Sequence, residues 1–462
     1  MKGKQDLVLE FIKFLAGFTN CILFSYVWVL YYNDQAFSRH WLTGTAVTCG
    51  IYVFLYLCFS RLYQAFKIGT CQIGELIFSQ ILSFGIADLI IYAECCLMHG
   101  GYVNVVPGAL IAGLQILSST LWMLGAKRYF IEHIPAKRTL LLSGHTEQEE
   151  NLLFSRKLTK KLGHMFDIRE TCVCGETICE TLTERKDSFD TVLLYDVPAH
   201  LRSRILTTCV ELEKEIYMTP RIDDIFLLGC EGKHLIDTPL MRYSISKKGR
   251  REAYPSKRLW DVAISGVLLL LCSPIMALVA LAIKLEDGGP VIFKQNRVTL
   301  HGKVFSIYKF RSMIVDAEKN GAVIPCKTGD PRITKVGRFI RKTRLDELPQ
   351  LLNILKGDMS IVGPRPERVE HVEKYTAELP EFTSRLQVRG GLTGYAQVYG
   401  KYNTSAEDKL KLDLMYIENM SLWMDLKLVF LTVKIMFIPE STEGFGGAER
   451  QEVMHYEVNH GE

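Results

Sequence analysis

Four long apolar stretches near the start of the chain restrict its fold more than any other feature. They cover residues 14–32, 44–60, 76–98 and 103–125, and each approaches the roughly 17–25 residues that a transmembrane helix needs. Hydrocarbon offers the backbone no hydrogen-bond partners, so such stretches cross a membrane only as helices or closed barrels. The sequence therefore predicts a four-helix transmembrane domain over residues 1–130.

Basic residues between these stretches predict the orientation of the domain. Arg39 falls on one side of the predicted membrane, and a larger group falls on the other: Lys2, Lys4, Arg61, Lys67, Lys127, Arg128, Lys137 and Arg138. Because loops rich in lysine and arginine stay in the cytoplasm, both ends of the domain are expected there. The net charge of only +4 gives no support for a nucleic-acid partner, and anionic lipid or phosphate is the expected partner.

Residues 137–245 predict a cytosolic α/β domain. Strand-like runs at 139–143 and 191–195 alternate with helix-forming segments near 147–162 and 199–215, which favours a parallel sheet. Only Ser143 and Gly144 follow the first strand, so the glycine-rich phosphate loop of a working dinucleotide domain is absent. A regulatory or structural role is expected.

A basic linker, 246–258, leads into a fifth apolar stretch over residues 259–285. Hydropathy alone favours another membrane-crossing helix. Ser273 and Pro274 lie midway, however, where proline removes a helix hydrogen bond and permits a bend, and basic residues flank both ends. We therefore predict a re-entrant hairpin that breaks at these two residues and returns to the cytoplasmic face.

The densest chemical signal is the pair Asp346 and Glu347. Adjacent carboxylates beside cationic groups fit phosphoryl chemistry, because one carboxylate can attack phosphorus while the other holds a metal ion. Arginine and lysine neutralise phosphate oxygens. The predicted substrate- and phosphate-binding residues are Lys309, Arg311, Arg341, Pro364, Arg365, Pro366 and Asp425.

The local sequence predicts how these groups are held. Asp346 is expected to cap a helix that runs to about Lys356, so that the helix dipole keeps its carboxylate ionised. Prolines on both sides stiffen the backbone of Arg365, which makes it the preferred phosphate clamp. Two alternatives stay open: Lys309 and Arg311 could bind lipid headgroups instead, and Asp425 could be a surface charge on an amphipathic helix over 421–437.

Several motifs occur in order over residues 255–437. They are Lys309-Phe310-Arg311-Ser312-Met313, Arg341-Lys342-Thr343-Arg344-Leu345-Asp346-Glu347-Leu348-Pro349-Gln350, Lys356-Gly357-Asp358-Met359-Ser360, Gly363-Pro364-Arg365-Pro366, Gly391-Leu392-Thr393-Gly394 and Trp423-Met424-Asp425. Together they resemble the bacterial sugar transferase family, the monotopic polyprenyl-phosphate phosphoglycosyl transferases. The N-terminal half resembles the long-form members, which start capsule, exopolysaccharide or O-antigen synthesis.

The resemblance implies a reaction. A sugar 1-phosphate, guessed to be that of glucose or galactose, passes from a UDP-sugar to undecaprenyl phosphate, and UMP is released. Asp346 is implied to attack the sugar-bearing phosphorus and form a covalent intermediate, and Glu347 is implied to bind Mg²⁺. A multi-pass protein of the bacterial cytoplasmic membrane, with its catalytic domain on the cytoplasmic face, is expected. The oligomeric state is left open, although the additional domains offer surface for a homodimer.

The predicted architecture thus has a four-helix transmembrane unit, a degenerate Rossmann-like (CoA-binding-like) α/β domain, the re-entrant hairpin, a mainly α catalytic domain at 286–438 and a C-terminal tail at 439–462. Two other functions compete with the transferase. A membrane-anchored nucleotide-sugar dehydratase would need the missing glycine-rich loop. A non-catalytic scaffold that binds lipid would keep its role after Asp346→Asn, whereas the transferase would lose UMP release.

Overall fold

The computed structural model describes residues 2–32, 41–144, 148–243, 256–315, 317, 330–400 and 404–436. Arg39, most of the predicted basic linker and the predicted C-terminal tail lie outside the described residues. The chain forms two compact units, Met1–Arg221 and Ile222–Glu462.

The first unit begins with long apolar helices. Helix α1 (Lys2–Val27) continues into one π-helical turn (Trp28–Tyr32), and α2 (Trp41–Leu62), α3 (Ile73–His99) and α4 (Val106–His133) follow. Each is long and apolar enough to cross a membrane. The prediction of apolar helices at the N-terminus is confirmed.

Polar side chains are paired inside this helix bundle. Asn20 of α1 donates from Nδ2 to the Ser119 hydroxyl of α4 at 2.9 Å, and the Tyr56 hydroxyl of α2 donates to Gln80 of α3 at 2.8 Å. Such pairs satisfy groups that hydrocarbon would leave without partners. Apolar side chains such as Leu97 face outward and are exposed.

A parallel sheet follows the helices in the first unit. The elements are β1 (Lys137–Ser143), α5 (Gln148–Leu162), β2 (Phe166–Val173), α6 (Ile178–Glu184), β3 (Thr191–Tyr195), α7 (Ala199–Glu211) and β4 (Glu215–Met218). The strands stand in the order β2-β1-β3-β4, and every neighbouring pair is parallel. The predicted α/β architecture with a parallel sheet is confirmed.

The second unit opens with α8 (Ile222–Leu228) and an antiparallel pair, β5 (Glu231–Leu235) and β6 (Thr238–Arg242). Ile225 of α8 is fully buried in the main core of this unit. These elements come from the end of the stretch that the sequence predicted as the α/β domain.

Helix α9 (Lys257–Asp287) covers the fifth apolar stretch and contains Pro274. Proline has no amide hydrogen to offer the carbonyl four residues earlier, which belongs to Leu270. The Ser273 hydroxyl donates to that same carbonyl at 2.8 Å. The serine thus compensates for the proline, and the helical assignment continues across the predicted break.

The remaining elements form a mainly α domain around small pieces of sheet. Strands β7 (Ile292–Val298) and β8 (Val304–Phe310) are antiparallel, and β9 (Ser360–Val362) is parallel to β10 (Gly391–Thr393). The helices are α10 (Lys335–Lys342), α11 (Gln350–Lys356), α12 (Val369–Glu378), α13 (Tyr395–Tyr399), α14 (Ala406–Glu418) and α15 (Leu422–Met436). Leu351, Ile354, Leu410 and Leu414 are buried in its core.

Candidate active site

Asp346 and Glu347 lie in a tight turn between two short helices. Helix α10 ends at Lys342, a 3₁₀ turn covers Leu345–Glu347, and α11 begins only at Gln350. The prediction that Asp346 caps α11 is therefore wrong, because Pro349 occupies the cap position. A proline there loses no helix hydrogen bond, since the first amide groups of a helix have no partner within it. The predicted end of the helix at Lys356 is confirmed.

Glu347 is the most strongly bound member of the pair. Its Oε1 accepts one hydrogen bond from Lys309 Nζ and one from Arg365 Nη2, each at 2.7 Å. Burial alone would raise the pKa of Glu347, but the charges of Arg365 and Lys309 outweigh it, and the pKa lies far below its usual range. Glu347 is thus a fixed anion between two cations.

The surroundings of Asp346 shift its pKa in the direction opposite to that of Glu347. Burial, together with the neighbouring charge of Glu347, raises its pKa, and the cationic Lys309, Arg341 and Arg344 offset this rise only in part. Helix α11 has just seven residues and does not start at Asp346. The prediction that a helix dipole keeps Asp346 ionised is therefore wrong: cationic side chains are what favour its charged form.

Lys309 reaches Glu347 from the end of β8. Its side chain is 20% exposed, and burial lowers its pKa, with Glu347 opposing and Arg365 reinforcing that change. An ammonium group in such a place is held charged mainly by the carboxylate it contacts. Lys309 and Glu347 therefore each stabilise the charged form of the other.

Arg365 stands on a loop whose backbone is held from two sides. Arg385 donates from Nη2 to the carbonyl of Arg365 at 2.9 Å, and Arg297 donates from Nη1 to the carbonyl of Pro366 at 3.1 Å. Arg385 is itself in a fully buried ion pair with Asp413 at 2.7 Å. The side chain of Arg365 is left 38% exposed, so it can contact a ligand while it holds Glu347.

Close backbone packing fixes the start of this loop. Gly391 donates its amide hydrogen to the carbonyl of Pro364 at 2.9 Å, and Gly363 donates to the carbonyl of Thr393 at 2.9 Å. A Cβ atom on Gly391 would lie 2.1 Å from the amide nitrogen of Gly363. Glycine is needed there because two backbones meet without room for a side chain.

The structure brings together most, but not all, of the residues predicted for the site. Asp346, Glu347, Lys309 and Arg365 are grouped, with Pro364 and Pro366 flanking the arginine, and Arg341 acts on Asp346 through its charge. Arg311, which is itself buried, instead forms an ion pair with the more exposed Asp287 at the end of α9.

Asp425 also has other partners. Its carboxylate accepts from Lys257 at 2.5 Å and from the Tyr416 hydroxyl at 2.7 Å, in the interior between α9, α14 and α15. The side chain is 10% exposed, so the alternative of a surface charge is wrong. The predicted helix at 421–437 is observed at Leu422–Met436.

Arg297 is a site residue that the sequence did not single out. Burial and the nearby charges of Arg365 and Arg368 lower its pKa to about 10, while Glu367 and Glu347 oppose the change. Arg297 lies in β7, 68 residues before Arg365 in the chain. In the sequence, Arg297 is one of several basic residues that follow the fifth apolar stretch, and this position alone indicates a residue that flanks a membrane segment.

The carboxylates offer limited room for a metal ion. Among the described residues, no group of three His, Cys, Asp or Glu side chains could hold one. Both cations bind Oε1 of Glu347, and the described part of the chain gives its Oε2 no hydrogen bond. This fits a Mg²⁺ ion held by one or two carboxylates together with substrate phosphates, which is how proteins commonly bind it.

The segment that contains the candidate active site is similar to known proteins. The family model described as "Bacterial sugar transferase" matches residues 252–439. The UDP-N-acetylgalactosamine-undecaprenyl-phosphate N-acetylgalactosaminephosphotransferase of Aeromonas hydrophila is 45% identical over 193 residues, which are 41% of this chain and 44% of that protein. The UDP-glucose:undecaprenyl-phosphate glucose-1-phosphate transferase of Klebsiella pneumoniae is 45% identical over 190 residues, 40% of this chain and 41% of that protein.

These two alignments span less than half the length of either relative. A third relative, the uncharacterised sugar transferase EpsL of Bacillus subtilis, is 43% identical over 188 residues, which are 40% of this chain but 90% of that protein. A segment of this length is thus nearly a whole protein by itself. The segment that the family model matches, residues 252–439, contains every residue of the site described above. The chain belongs to the bacterial sugar transferase family.

Proposed function

We propose that this protein transfers a sugar 1-phosphate from a UDP-sugar to undecaprenyl phosphate and releases UMP, as the first membrane step of a capsule, exopolysaccharide or O-antigen pathway. One observation carries the proposal: a carboxylate with a raised pKa, Asp346, stands beside a carboxylate bound by two cations, Glu347. The names of similar proteins agree on undecaprenyl phosphate but differ in the sugar. The sugar is therefore proposed only as a hexose.

Asp346 is the proposed nucleophile. Within the described residues no side chain donates a hydrogen bond to it, and its raised pKa makes the ionised form more basic than an ordinary aspartate. Glu347 has the opposite properties, because two cations hold its oxygen in place. Of the two adjacent carboxylates, Asp346 is the one able to form a new bond.

The proposed reaction has two displacements at one phosphorus. An Asp346 carboxylate oxygen bonds to the sugar-bearing phosphorus, and the bond from that phosphorus to the bridging oxygen of UMP breaks. A phosphate oxygen of undecaprenyl phosphate then attacks the same phosphorus and returns the electron pair to Asp346. The products are UMP and a sugar linked to the lipid through a diphosphate.

Cationic side chains neutralise the phosphates in this scheme. Lys309 and Arg365 face the carboxylate pair, and Arg341 is close enough to influence Asp346. Phosphoryl transfer depends mostly on such positioning and charge neutralisation. A bound Mg²⁺, held by Glu347, would neutralise further charge on the diphosphate.

The site is proposed to lie at the cytoplasmic surface of the membrane, where a soluble nucleotide sugar can meet a lipid phosphate. The two ends of α9 support this placement. Near its start Ile264 packs on the main core, and near its end Val279 and Ile283 pack on a second cluster. Between them Leu270 and Leu271 are exposed apolar groups, which suit a lipid environment.

Leu348 supports a bend in α9 close to the active site. This residue packs against both hydrophobic clusters that anchor the two parts of the helix, and it follows Glu347 directly. A helix fastened at both ends to one domain, with an apolar middle, fits a segment that enters and leaves on one side. The re-entrant hairpin, with its bend at Ser273 and Pro274 inside a continuous helix, is therefore part of the proposal.

The transfer is tested by UMP release. Full-length protein in nanodiscs is incubated with Mg²⁺, undecaprenyl phosphate and each of a panel of UDP-sugars. The wild type should release UMP with at least one sugar, and Asp346→Asn should not. Asp408→Asn, the matched change of an exposed aspartate on α14 of the same unit, should stay active. Without acceptor, mass spectrometry should find a phosphosugar adduct on Asp346. An active Asp346→Asn variant, or an adduct elsewhere, refutes the mechanism.

Topology and assembly have separate tests. Single cysteines introduced at Ser256 and His301, in a background without accessible native cysteines, should both be labelled from the cytoplasmic side. Labelling of position 301 from outside would refute the hairpin. Homodimerisation stays a prediction, and the mass of the purified protein in nanodiscs checks it.

A further inference from the structure

The start of α9 buries polar side chains and exposes apolar ones. Lys257, Asp261 and Ser265 recur at every fourth position and are buried. Leu259 and Trp260 lie between them in the chain and are exposed. A helix on the surface of a soluble protein shows the reverse arrangement. The polar face of α9 therefore has its partners inside the domain, and the proposed reaction assigns them no role.

Residues 345–366 form one folded-back segment that carries both the carboxylate pair and the arginine proposed to bind phosphate. The segment runs from the turn of Asp346 and Glu347 through α11, reverses after Gly357 and returns through β9 to Arg365. We call the part from 354 to 361 the bend. The hydrogen bond from Arg365 Nη2 to Glu347 Oε1 at 2.7 Å joins the two ends of the segment. The position of the bend therefore influences how those ends meet.

Arg258 of α9 holds the first side of the bend. Its Nη1 donates to the carbonyl of Ile354 at 2.6 Å, and its Nη2 donates to the carbonyl of Leu355 at 2.8 Å. Both carbonyls belong to the last turn of α11, where a helix lacks the amide partners that its interior has. A guanidinium with two donors suits this end of the helix.

Asp261, one turn further along α9, holds the other side of the bend. Its Oδ1 accepts from the amide of Ile361 at 3.0 Å and from the hydroxyl of Ser360 at 3.0 Å. Both residues begin β9 and are buried, and a buried amide that loses its acceptor is costly. One stretch of α9 thus binds both sides of the bend.

Lys257 fixes this stretch of α9 within the domain. Its Nζ donates to the carboxylate of Asp425 at 2.5 Å and lies 3.3 Å from the hydroxyl of Tyr416. Displacing one member of such a buried pair would leave an uncompensated charge. Arg258 and Asp261 therefore hold the bend from a helix that is itself fixed.

We propose that Arg258 and Asp261 are positioning residues of the transferase. They hold the bend and, through α11 and β9, set how Asp346 and Arg365 face each other. The proposal rests on the proposed function, because this arrangement matters for catalysis only if both ends act on the same phosphate. A small displacement of reacting groups is enough to lower a rate strongly.

Hydrogen-deuterium exchange tests the positions without reference to activity. The full-length protein in nanodiscs is compared with Asp261→Leu, which is similar in size but has no acceptor. Exchange in peptides that cover 360–366 should become about tenfold faster or more, while peptides from β7 and β8 should be unchanged. Asp261→Asn keeps an oxygen acceptor and should exchange like the wild type. Arg258→Met should speed exchange in peptides that cover 350–357, and it tests the bend even if Asp261→Leu fails to fold.

UMP release tests the role in catalysis. Asp261→Leu and Arg258→Met should lower kcat by about tenfold or more, and Asp261→Asn should restore it to within about threefold. Arg338→Met, the matched loss of an exposed arginine on α10, should behave like the wild type in both measurements.

A double-mutant cycle separates positioning from general stability. In an Arg365→Ala background, Asp261→Leu should lower kcat by less than about twofold, because the group that Asp261 positions is already gone. The same loss in both backgrounds would overturn the positioning role, as would unchanged exchange at 360–366, or faster exchange with a wild-type kcat. If the wild type released no UMP, the proposed function would be refuted, and the exchange measurement would still decide whether these two residues hold the bend.

Discussion

Asp346 and Glu347 are neighbours in sequence but have opposite electrostatic environments. Glu347 accepts hydrogen bonds from two cations, so its pKa is held far below the usual range although burial opposes this. Asp346 is partly buried without a hydrogen-bond donor among the described residues, so its pKa is raised. When the environments of two carboxylates separate their pKa values in this way, their roles separate as well.

The first prediction concerns the stability of Asp346→Asn. A raised pKa means that the folded protein holds the Asp346 proton more tightly than the unfolded chain does, so ionisation opposes folding and its cost appears as the pH rises through the pKa. The asparagine removes that cost. At about pH 7.5 the variant should have a Tm equal to or above that of the wild type, although it releases no UMP.

The same linkage fixes the pH dependence of this effect. The difference in Tm between Asp346→Asn and the wild type should shrink toward about pH 4, where the wild-type carboxyl group becomes protonated. Thermal unfolding in nanodiscs across this range measures it. A Tm clearly below the wild type at pH 7.5 would contradict the assigned environment of Asp346.

The second prediction is that Glu347→Gln, unlike Asp346→Asn, lowers the stability of the protein. Glu347→Gln removes the charge that holds Lys309 and Arg365, and leaves a partly buried ammonium group beside a guanidinium. The free energy of unfolding should fall by about 1–3 kcal/mol, a range that allows for the exposure of Arg365. UMP release should fall by about 100-fold or more.

The pH profile of Glu347→Gln gives an independent check. Because the folded pKa of Glu347 is depressed, its stabilisation is complete above its ordinary pKa and is lost as the pH falls toward the folded value. The Tm deficit of the variant should therefore be largest near neutral pH and smaller in acid. Glu373→Gln, an exposed acid on α12, is the control, and an equal deficit in that variant would argue against a specific role for Glu347.

At the residue scale, the grouping of site residues was predictable where they are close together in the chain. The Asp346-Glu347 pair was visible as neighbouring letters, and the prolines marked Arg365. Arg311 was expected beside Lys309, because residues two apart in a strand point to the same face. Strand β8 ends at Phe310, so this expectation does not hold for Arg311, and the side chain pairs with Asp287 instead. Arg297 comes from a distant strand, and one sequence carries no signal for such a long-range contact.

At the scale of elements, the site depends on a loop that other elements hold. The loop from Gly363 to Pro366 joins β9 to α12, and Arg385 fixes its backbone from the interior of the domain. The fork of Arg385 binds Asp413 through both Nε and Nη2 while it also reaches the carbonyl of Arg365. One buried guanidinium therefore connects the core to Arg365, the arginine proposed to bind phosphate.

The third prediction is that Arg385→Lys weakens both stability and catalysis. Lysine keeps the positive charge but cannot form the same three hydrogen bonds. The free energy of unfolding should fall by about 3 kcal/mol, the order seen when a buried ion pair is disrupted, and KM for the UDP-sugar should rise because Arg365 is less well positioned. Kinetics and thermal unfolding measure the two effects.

Arg338→Lys, a change at an exposed position on α10, is the control and should leave both stability and KM unchanged. An unaltered KM in Arg385→Lys would contradict a positioning role.

Element boundaries show why the cap of α11 was mispredicted. The end of this helix was predictable because Gly357 follows Lys356 in the left-handed conformation, with φ of 92°, as is typical after helix C-termini. Its start was not, because Arg344 also adopts a left-handed conformation, with φ of 59°. Nothing in an arginine side chain predicts that conformation, and it makes the 3₁₀ turn that displaces Asp346 from the helix.

At the scale of the whole molecule, the described residues separate into two units with different contents. Met1–Arg221 contains the helix bundle and the parallel sheet, and Ile222–Glu462 contains all the residues of the candidate active site. The division of the chain was predictable in outline, since hydropathy and strand-helix alternation are local patterns. The sequence did not predict that α8 and the β5–β6 pair belong to the second unit. Ile225 of α8 is buried in the core of that unit together with residues of α14, which are far away in the chain.

The last prediction is that the second unit is sufficient for the transfer. A fragment beginning at Ile222 keeps α9, the carboxylate pair and the arginine loop, and the Bacillus subtilis relative, 90% of which aligns with this segment, has little room for anything more. Expressed in membranes, the fragment should therefore release UMP with the same sugar preference as the full chain, and the same fragment with Asp346→Asn should not. A folded fragment without transferase activity would show that the first unit takes part in the reaction itself.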